Sequence, residues 1–160
     1  MPDSVVLLVL LIVANGAPII ADDLLGRRWS RPIDGGRRVG DGRRLLGDSA
    51  TLRGVIAAMG ATAVVSAVLG HPAGAGALIG LLAMVGDAAS SFVKRRLGLQ
   101  PGDAAPGLDQ IPEALLPLLA VAGVYALGWS DILLLVGAFT LFHLLASRIL
   151  YRLRLRKRPY

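Results

Sequence analysis

The segment that decides the fold is Gly86-Asp87-Ala88-Ala89-Ser90-Ser91-Phe92-Val93-Lys94-Arg95-Arg96, where an apolar run acquires one acid, two hydroxyls and then three cations. Four of its polar residues share one helix face, at positions i, i+3, i+4 and i+7: Asp87, Ser90, Ser91 and Lys94. The preceding residues 73–85 are almost wholly apolar, so Asp87 lies at the edge of a low-dielectric region. Because a carboxylate there is costly unless it is paired or bound to a metal, this face is a candidate site for a metal and a phosphate. The alternative interpretation is a helix end whose Lys and Arg side chains reach toward the membrane surface.

The composition around this segment is typical of an integral membrane protein. Of the 160 residues, 54% are hydrophobic, the mean hydropathy is +0.63, and several apolar runs reach the length of about 20 residues that a spanning helix needs. The absence of cysteine excludes disulfides and thiolate metal sites. The first apolar run starts at Ser4 without a basic segment before it, so we expect a retained span rather than a signal peptide.

The basic residues are arranged as in a membrane protein and not as in a nucleic-acid-binding protein. The net charge is +6 and the isoelectric point is near 10.7, but the cations gather beside apolar helices, where anionic lipid headgroups account for them. Only 5% of the residues are aromatic, which is too few for the series of stacking platforms that nucleic-acid binding would require. Membrane lipids are therefore expected partners, and nucleic acid is not.

Hydropathy predicts an all-α membrane protein with one domain and five spans, at about residues 4–25, 52–70, 73–93, 113–127 and 132–150. With these spans, all 17 Lys and Arg residues fall on one side, in the polar connections 26–51 and 94–112 or near the ends of the second, third and fifth helices. By the positive-inside rule the N-terminus is outside and both connections are cytoplasmic, in a multi-pass protein of the plasma membrane. Asn15-Gly16-Ala17-Pro18 is expected to interrupt the first helix. Small residues on the second and third helices allow close packing and also a homodimer.

The first polar connection is rich in arginine, glycine and aspartate. Its arginines are Arg27, Arg28, Arg31, Arg37, Arg38, Arg43, Arg44 and Arg53, and its acids are Asp34, Asp41 and Asp48. Arginine forks bind phosphate oxygens, glycines allow close approach of the backbone, and the acids can orient the arginines or hold a cation. The spacing matches neither a P-loop nor a Rossmann fingerprint. The alternative is a solvated cytoplasmic loop.

The second polar connection ends with two carboxylates, Asp109 and Glu113, four residues apart and just before an apolar run. Together with Asp87 they could complete an oxygen-rich magnesium site of the kind used with substrate phosphates. The alternative is a pair of acids that caps a helix start. His71 is interpreted as a loop residue, and His143 as a hydrogen-bonded packing residue rather than a ligand.

Taken in order, these segments resemble the CDP-archaeol synthase family, a compact relative of the phosphatidate cytidylyltransferases. The resemblance covers nearly the whole chain and rests on residues 15–18, 32–34, 41–44, 46–48, 86–96 and 109–112. It implies a membrane enzyme that uses CTP, Mg²⁺ and a lipid phosphomonoester to make a CDP-lipid and pyrophosphate. The residues that it implies are catalytic are Asp87, Asp109 and Lys94, with Asp87 and Asp109 holding the metal. Those that it implies bind substrate are Asn15, Asp34, Arg43, Arg44, Asp48, Arg53, Ser91 and Arg95.

The chain departs from the family at one place. Where the family commonly has Gly-Asp-Gly-Lys-Thr-Trp-Arg-Gly, residues 47–54 read Gly-Asp-Ser-Ala-Thr-Leu-Arg-Gly, so Ala50 and Leu52 replace a lysine and a tryptophan. The lipid is expected to be of the 2,3-bis-O-geranylgeranylglycerol phosphate type. Two alternatives stay open: synthesis of CDP-diacylglycerol from phosphatidate, and a non-catalytic small membrane or lipid-binding protein. The second leaves the acids of both connections unexplained.

Overall fold

A computed structural model describes residues 1–26, 28–47, 49–100, 103 and 105–152, of which residues 150–152 are described by backbone alone. It contains five helices: α1 Asp3–Leu25, α2 Leu52–Val68, α3 Ala73–Arg96, α4 Gln110–Val121 and α5 Trp129–Arg152. Two isolated β-bridges are the other regular structure in the described ranges, and both lie in the first connection. The predicted all-α architecture with five helices is confirmed.

Three of the helices, α1, α3 and α5, are long and apolar enough to cross a membrane. α2 has 17 residues and α4 has 12, which at about 1.5 Å per residue are shorter than the bilayer core of about 30 Å. Large apolar side chains point away from the protein along several helices, for example Ile56, Val64, Leu133, Leu134 and Leu141. Such a surface is stable against lipid and unstable in water.

The ends of the third and fourth helices differ from the predicted ones. α3 continues through its three cations to Arg96, because cations in the last turn interact favourably with the helix dipole. α4 starts at Gln110 rather than Glu113. Pro112 fits in the first turn, because the N–H groups of that turn make no hydrogen bond within the helix and proline lacks only this group. It ends at Val121 rather than Leu127, and a turn follows in which Ala126 has a positive φ of 48°.

α1 is continuous, so the expected interruption at residues 15–18 does not occur. Pro18 lies inside the helix, and the Asn15 side chain donates a hydrogen bond to the Leu11 carbonyl at 3.0 Å. Gly54 of α2 packs against Pro18, where a Cβ at Gly54 would lie 3.4 Å from Pro18 Cβ. A neighbouring helix thus supports the proline within the helix.

The hydrophobic core and the polar connections occupy opposite ends of the helix bundle. The core is built from the first half of α1, the second half of α4 and the first half of α5, with Ile79 from α3. The turns 69–72 and 122–128 meet at this end, where the rings of His71 and Tyr125 stack with centroids 5.5 Å apart. The end of α1 and the starts of α2 and α4 therefore lie together at the other end.

Glycines let α2 and α3 approach each other closely. A Cβ on Gly76 would overlap the Thr62 backbone, and one on Gly80 would overlap the Ala58 carbonyl. Thr62 satisfies its own buried hydroxyl by donating to Ala58 O at 2.7 Å. These small residues therefore serve the packing of α2 against α3 within one chain.

Candidate active site

A cavity of about 620 Å³ opens at the end of the bundle opposite the core. It is bounded by the second half of α1, the start of α2, the ends of α3 and α5 and the start of α4. Among the described residues, its wall contains one lysine, Lys94, and six acidic residues: Asp22, Asp23, Asp87, Asp103, Asp109 and Glu113. Apolar side chains, including Pro18, Ile19, Met84 and Leu144, complete the wall. The cavity therefore joins a strongly acidic region to an apolar one.

A close approach of α3 and α4 places two of these acids side by side. A Cβ on Gly86 would overlap the Pro112 carbonyl and lie 2.7 Å from the Glu113 nitrogen, so only glycine allows this spacing. As a result, the carboxyl groups of Asp87 and Glu113 come within hydrogen-bonding reach of each other. Two carboxylates so close repel each other unless a proton or a cation neutralises them.

Lys94 supplies one cation to this acidic group. Its Nζ lies 2.5 Å from Asp109 Oδ1, and both side chains are mostly buried. The other carboxylate oxygen of Asp109 accepts the N–H of Ala105 at 3.0 Å, which ties the second connection to the start of α4. One lysine thus faces three carboxyl groups, from Asp87, Asp109 and Glu113, so its single charge cannot balance all three when they are ionised.

Three further polar residues line the cavity beside these acids, and the sequence did not single them out as site residues: Gln110, His143 and Ser147. The Gln110 amide nitrogen lies 3.3 Å from His143 Nδ1, while its oxygen accepts the N–H of Gly107 at 2.8 Å. His143 and Ser147 are four residues apart and so share a face of α5. That spacing was the available signal, but only the packing of α5 shows that this face meets the acids.

Four of the predicted site residues line the cavity: Asn15, Asp87, Lys94 and Asp109. Six others lie outside its wall: Asp34, Arg43, Arg44, Arg53, Ser91 and Arg95. Asp48 lies outside the described residues. The position of the missing family lysine, Ala50, is in the cavity wall, whereas Leu52 is exposed on the outer surface.

Asp34 organises the first connection from within. Its buried carboxylate accepts the N–H groups of Gly36 and Leu46, at 2.9 and 3.1 Å, and pairs with Arg44 at 3.1 Å. Burial by itself would raise the pKa of Asp34, but these donors outweigh it and hold that pKa below its ordinary value. Asp34 and Arg44 thus stabilise the loop.

Arg43 and Arg96 join this loop to the end of α3. Arg43 Nη1 donates to the carbonyls of Arg95 and Arg96, at 3.2 and 2.8 Å, and so satisfies the last turn of α3. Arg96 pairs with Asp41 at 2.5 Å and donates to Arg44 O at 2.6 Å. The Arg43 N–H is the main cause of a lowered pKa at Asp41, and the Arg96 ion pair adds to it. These bonds fix the helix turn that carries Lys94.

Arg53 has a similar bridging role at the start of α2. Its buried side chain pairs with Asp22 and donates to the carbonyls of Gly26 and Arg28, at 2.7 and 2.6 Å. Arg95 differs, because its guanidinium is buried while its Nε and Nη1 have no hydrogen-bond partner among the described residues. Ser91 is buried beside it in the same helix turn region.

Comparisons with known proteins agree on one family. The family model for CDP-archaeol synthase (CarS-like) matches residues 4–72 and 65–160. A CDP-archaeol synthase of Methanopyrus kandleri is 45% identical over 139 residues, which cover 81% of this chain and 80% of that protein. A CDP-archaeol synthase of Aeropyrum pernix is 36% identical and aligns with 99% of this chain and 91% of its own length.

A solved structure gives the same result for the fold. It was described as an intramembrane enzyme for archaeal membrane lipids biosynthesis, and it superposes on this chain with a TM-score of 0.76 at 34% identity. The match covers 89% of this chain and 91% of that one. The match to the family model and the relatives above 30% identity both show that this chain belongs to the CDP-archaeol synthase family.

Proposed function

We propose that this protein is a CTP-dependent cytidylyltransferase that converts a lipid phosphomonoester of the 2,3-bis-O-geranylgeranylglycerol phosphate type to CDP-archaeol and pyrophosphate. The family supports the reaction. The observation that carries the site is the single cavity in which Asp87, Lys94, Asp109 and Glu113 face an apolar wall. An amphiphilic lipid phosphate and a nucleotide both need such a junction of charge and hydrocarbon.

In this reaction a phosphate oxygen of the lipid attacks the α-phosphorus of CTP, and the bond between that phosphorus and the bridging oxygen of the β-phosphate breaks. Pyrophosphate leaves with the electron pair, in line with the attacking oxygen. Such a transfer requires positioning and neutralisation of charge rather than covalent help from the protein. We assign Lys94 to the phosphates, since it is the one cation in the described cavity wall.

The acids of the cavity fit a divalent cation, and we infer that it is Mg²⁺ held by Asp87 and Asp109. Six acids and one lysine in the described wall could not accept a triphosphate without additional positive charge. Among the described residues no three acidic or histidine side chains are assembled around one point, so the substrate phosphates would complete the coordination, as Mg²⁺ commonly requires. When bound, the cation would neutralise charge on the reacting phosphates.

Other residues are assigned by what surrounds them. The buried, unpaired guanidinium nitrogens of Arg95 would be stabilised by an anion, which supports a substrate-binding role. Pro18, Ile19, Met84 and Leu144 form an apolar wall suited to the lipid chains. Asn15, which lines the cavity, and Ser91, which is buried outside its wall, are kept as proposed substrate-binding residues.

We further propose that the five helices make five passes through the plasma membrane, α2 and α4 crossing only part of its hydrocarbon core, with the N-terminus outside and the site on the cytoplasmic side, where CTP is available. The positive-inside rule supports this orientation, because the described Lys and Arg residues gather at the end that carries the cavity. The homodimer stays a prediction, and Gly76 and Gly80 are less accessible to a second copy because α2 covers them.

The test is release of pyrophosphate by the purified protein in detergent with CTP, Mg²⁺ and a panel of ether-linked and ester-linked lipid phosphates. We expect turnover with the ether-linked isoprenoid lipid. Preferential turnover of phosphatidate would favour synthesis of CDP-diacylglycerol. No turnover with any lipid, when a relative assayed in parallel is active, would favour the non-catalytic alternative.

A further inference from the structure

Trp29 is the most conspicuous exposed residue near the mouth of the cavity. It lies in the turn after α1, and 82% of its surface is exposed. Its φ of +56° is in the left-handed region, which a bulky side chain rarely adopts. A large apolar residue in an unfavourable backbone conformation, directed away from the protein, indicates that its exposure has a purpose.

The turn is held in this conformation by a buried side chain. Arg53 donates to the carbonyls of Gly26 and Arg28, which both lie in the turn just before Trp29, at 2.7 and 2.6 Å. Arg53 is in turn fixed by its ion pair with Asp22 of α1. The outward position of Trp29 is therefore built into the junction between α1 and α2.

The surroundings of Trp29 match the boundary between a bilayer and water. On α1, Ile20 and Leu24 are 60% and 79% exposed, and they form an apolar strip that ends next to the turn. Arg28 and Arg31, on either side of the tryptophan, are exposed. Tryptophan favours the headgroup level of membranes, and arginines there attract anionic lipids.

We propose that Trp29, with Arg28 and Arg31, is a membrane-surface anchor that inserts into the headgroup region of an anionic bilayer and holds the mouth of the cavity there. Ser30, the next residue, lines the cavity together with Ile19 and Asp22. The anchor thus fixes the level at which the cavity meets the lipid. Its role in lipid access rests on the proposed function, whereas the anchoring itself does not.

The chain offers a direct measurement because it contains two tryptophans, Trp29 and Trp129. Trp129→Phe leaves Trp29 as the sole indole, and the protein is reconstituted in vesicles of phosphatidylcholine and phosphatidylglycerol. The acyl chains carry bromine either near the headgroup or near the methyl end. We expect Trp29 fluorescence to be quenched at least twofold more by the shallow bromine than by the deep one.

The matched control is Trp29→Phe, which leaves Trp129, an exposed residue at the start of α5. Quenching of Trp129 shows that the vesicles and the reconstitution are sound. If Trp29 then emits as in water and is not quenched, the anchor is refuted. It is also refuted if the emission follows the protein-to-lipid ratio and not the bromine, because Trp29 then contacts a second copy.

Activity assays distinguish the anchoring of Trp29 from its proposed role in lipid access. With Trp29→Ala, we expect a several-fold higher KM for a long-chain lipid phosphate dispersed in vesicles and an unchanged KM for a short-chain, water-soluble one. Equal KM changes for both lipids would overturn the access role. If the native protein had no turnover at all, the proposed function would fail, while the quenching would still decide the anchor.

Discussion

Replacing Gly86 with alanine should damage catalysis far more than folding. The new Cβ would lie 2.7 Å from the Glu113 nitrogen and closer still to the Pro112 carbonyl, and both are backbone atoms that cannot rotate away. Pro112 O would be the nearest atom to the new Cβ, so α3 and α4 must separate by roughly 1 Å to restore ordinary contact near 3.4 Å. That movement pulls Asp87 away from Glu113.

The two effects have different magnitudes. Overpacking costs about 1–3 kcal/mol, while alanine in place of a helical glycine regains about 1 kcal/mol, so the free energy of unfolding should fall by about 0–2 kcal/mol. Misplacement of catalytic groups by a distance of this order can cost about 100-fold in rate. We expect Gly86→Ala to fold and to lose roughly 10- to 100-fold in turnover.

The assay is formation of the CDP-lipid from labelled CTP in proteoliposomes, with thermal unfolding measured on the same samples. Gly60→Ala is the matched control, since this α2 glycine has nothing within 4 Å of the added Cβ. It should keep full activity. Native turnover in Gly86→Ala, or an equal loss in Gly60→Ala, would refute the reasoning.

Three other changes test the first connection. Asp34→Asn should speed hydrogen exchange of the backbone amides in residues 31–46 about tenfold at pH 7. Because the pKa of Asp34 is lowered in the folded protein, the native loop should keep its protection from exchange above about pH 4. It should lose that protection at lower pH, as the carboxylate is protonated. Arg43→Lys keeps the charge but loses the fork, so we expect lower kcat at unchanged KM for CTP, and a raised KM alone would mean that Arg43 touches the nucleotide. Ala50→Lys adds a cation to the acidic wall and should lower KM for CTP several-fold in steady-state assays, an unchanged or higher KM being the contrary result.

Much of the fold could be predicted from the sequence because its causes are local. Hydropathy indicates each helix, and the positions of the Lys and Arg residues indicate which helix ends lie at the same end of the bundle. The continuity of α1 and the early start of α4 depend on neighbours: Gly54 supports Pro18, and α3 accepts the turn around Pro112 only because Gly86 has no side chain. Such contacts between distant segments have no signal in one sequence.

The site was partly predictable for the same reason. Asp87 and Lys94 share a helix face, and the cavity includes both, while Asp109 was identified by its place in the second connection. The arginine-rich loop was ambiguous, since a guanidinium fork binds backbone carbonyls and carboxylates as well as phosphates. Arg43 and Arg53 make the former contacts here, and His143 enters the site only through the packing of α5.

The most direct test of the central claim is CTP-dependent synthesis of the CDP-lipid by Asp87→Asn, measured beside Asp131→Asn in the same proteoliposomes. Asp131 lies outside the cavity wall, at the start of α5, and accepts the Gly128 N–H at 2.9 Å, a bond that asparagine can also make. We predict that Asp87→Asn loses at least 100-fold in turnover while Asp131→Asn keeps native turnover. Full turnover by Asp87→Asn would contradict the assignment of this cavity as the active site.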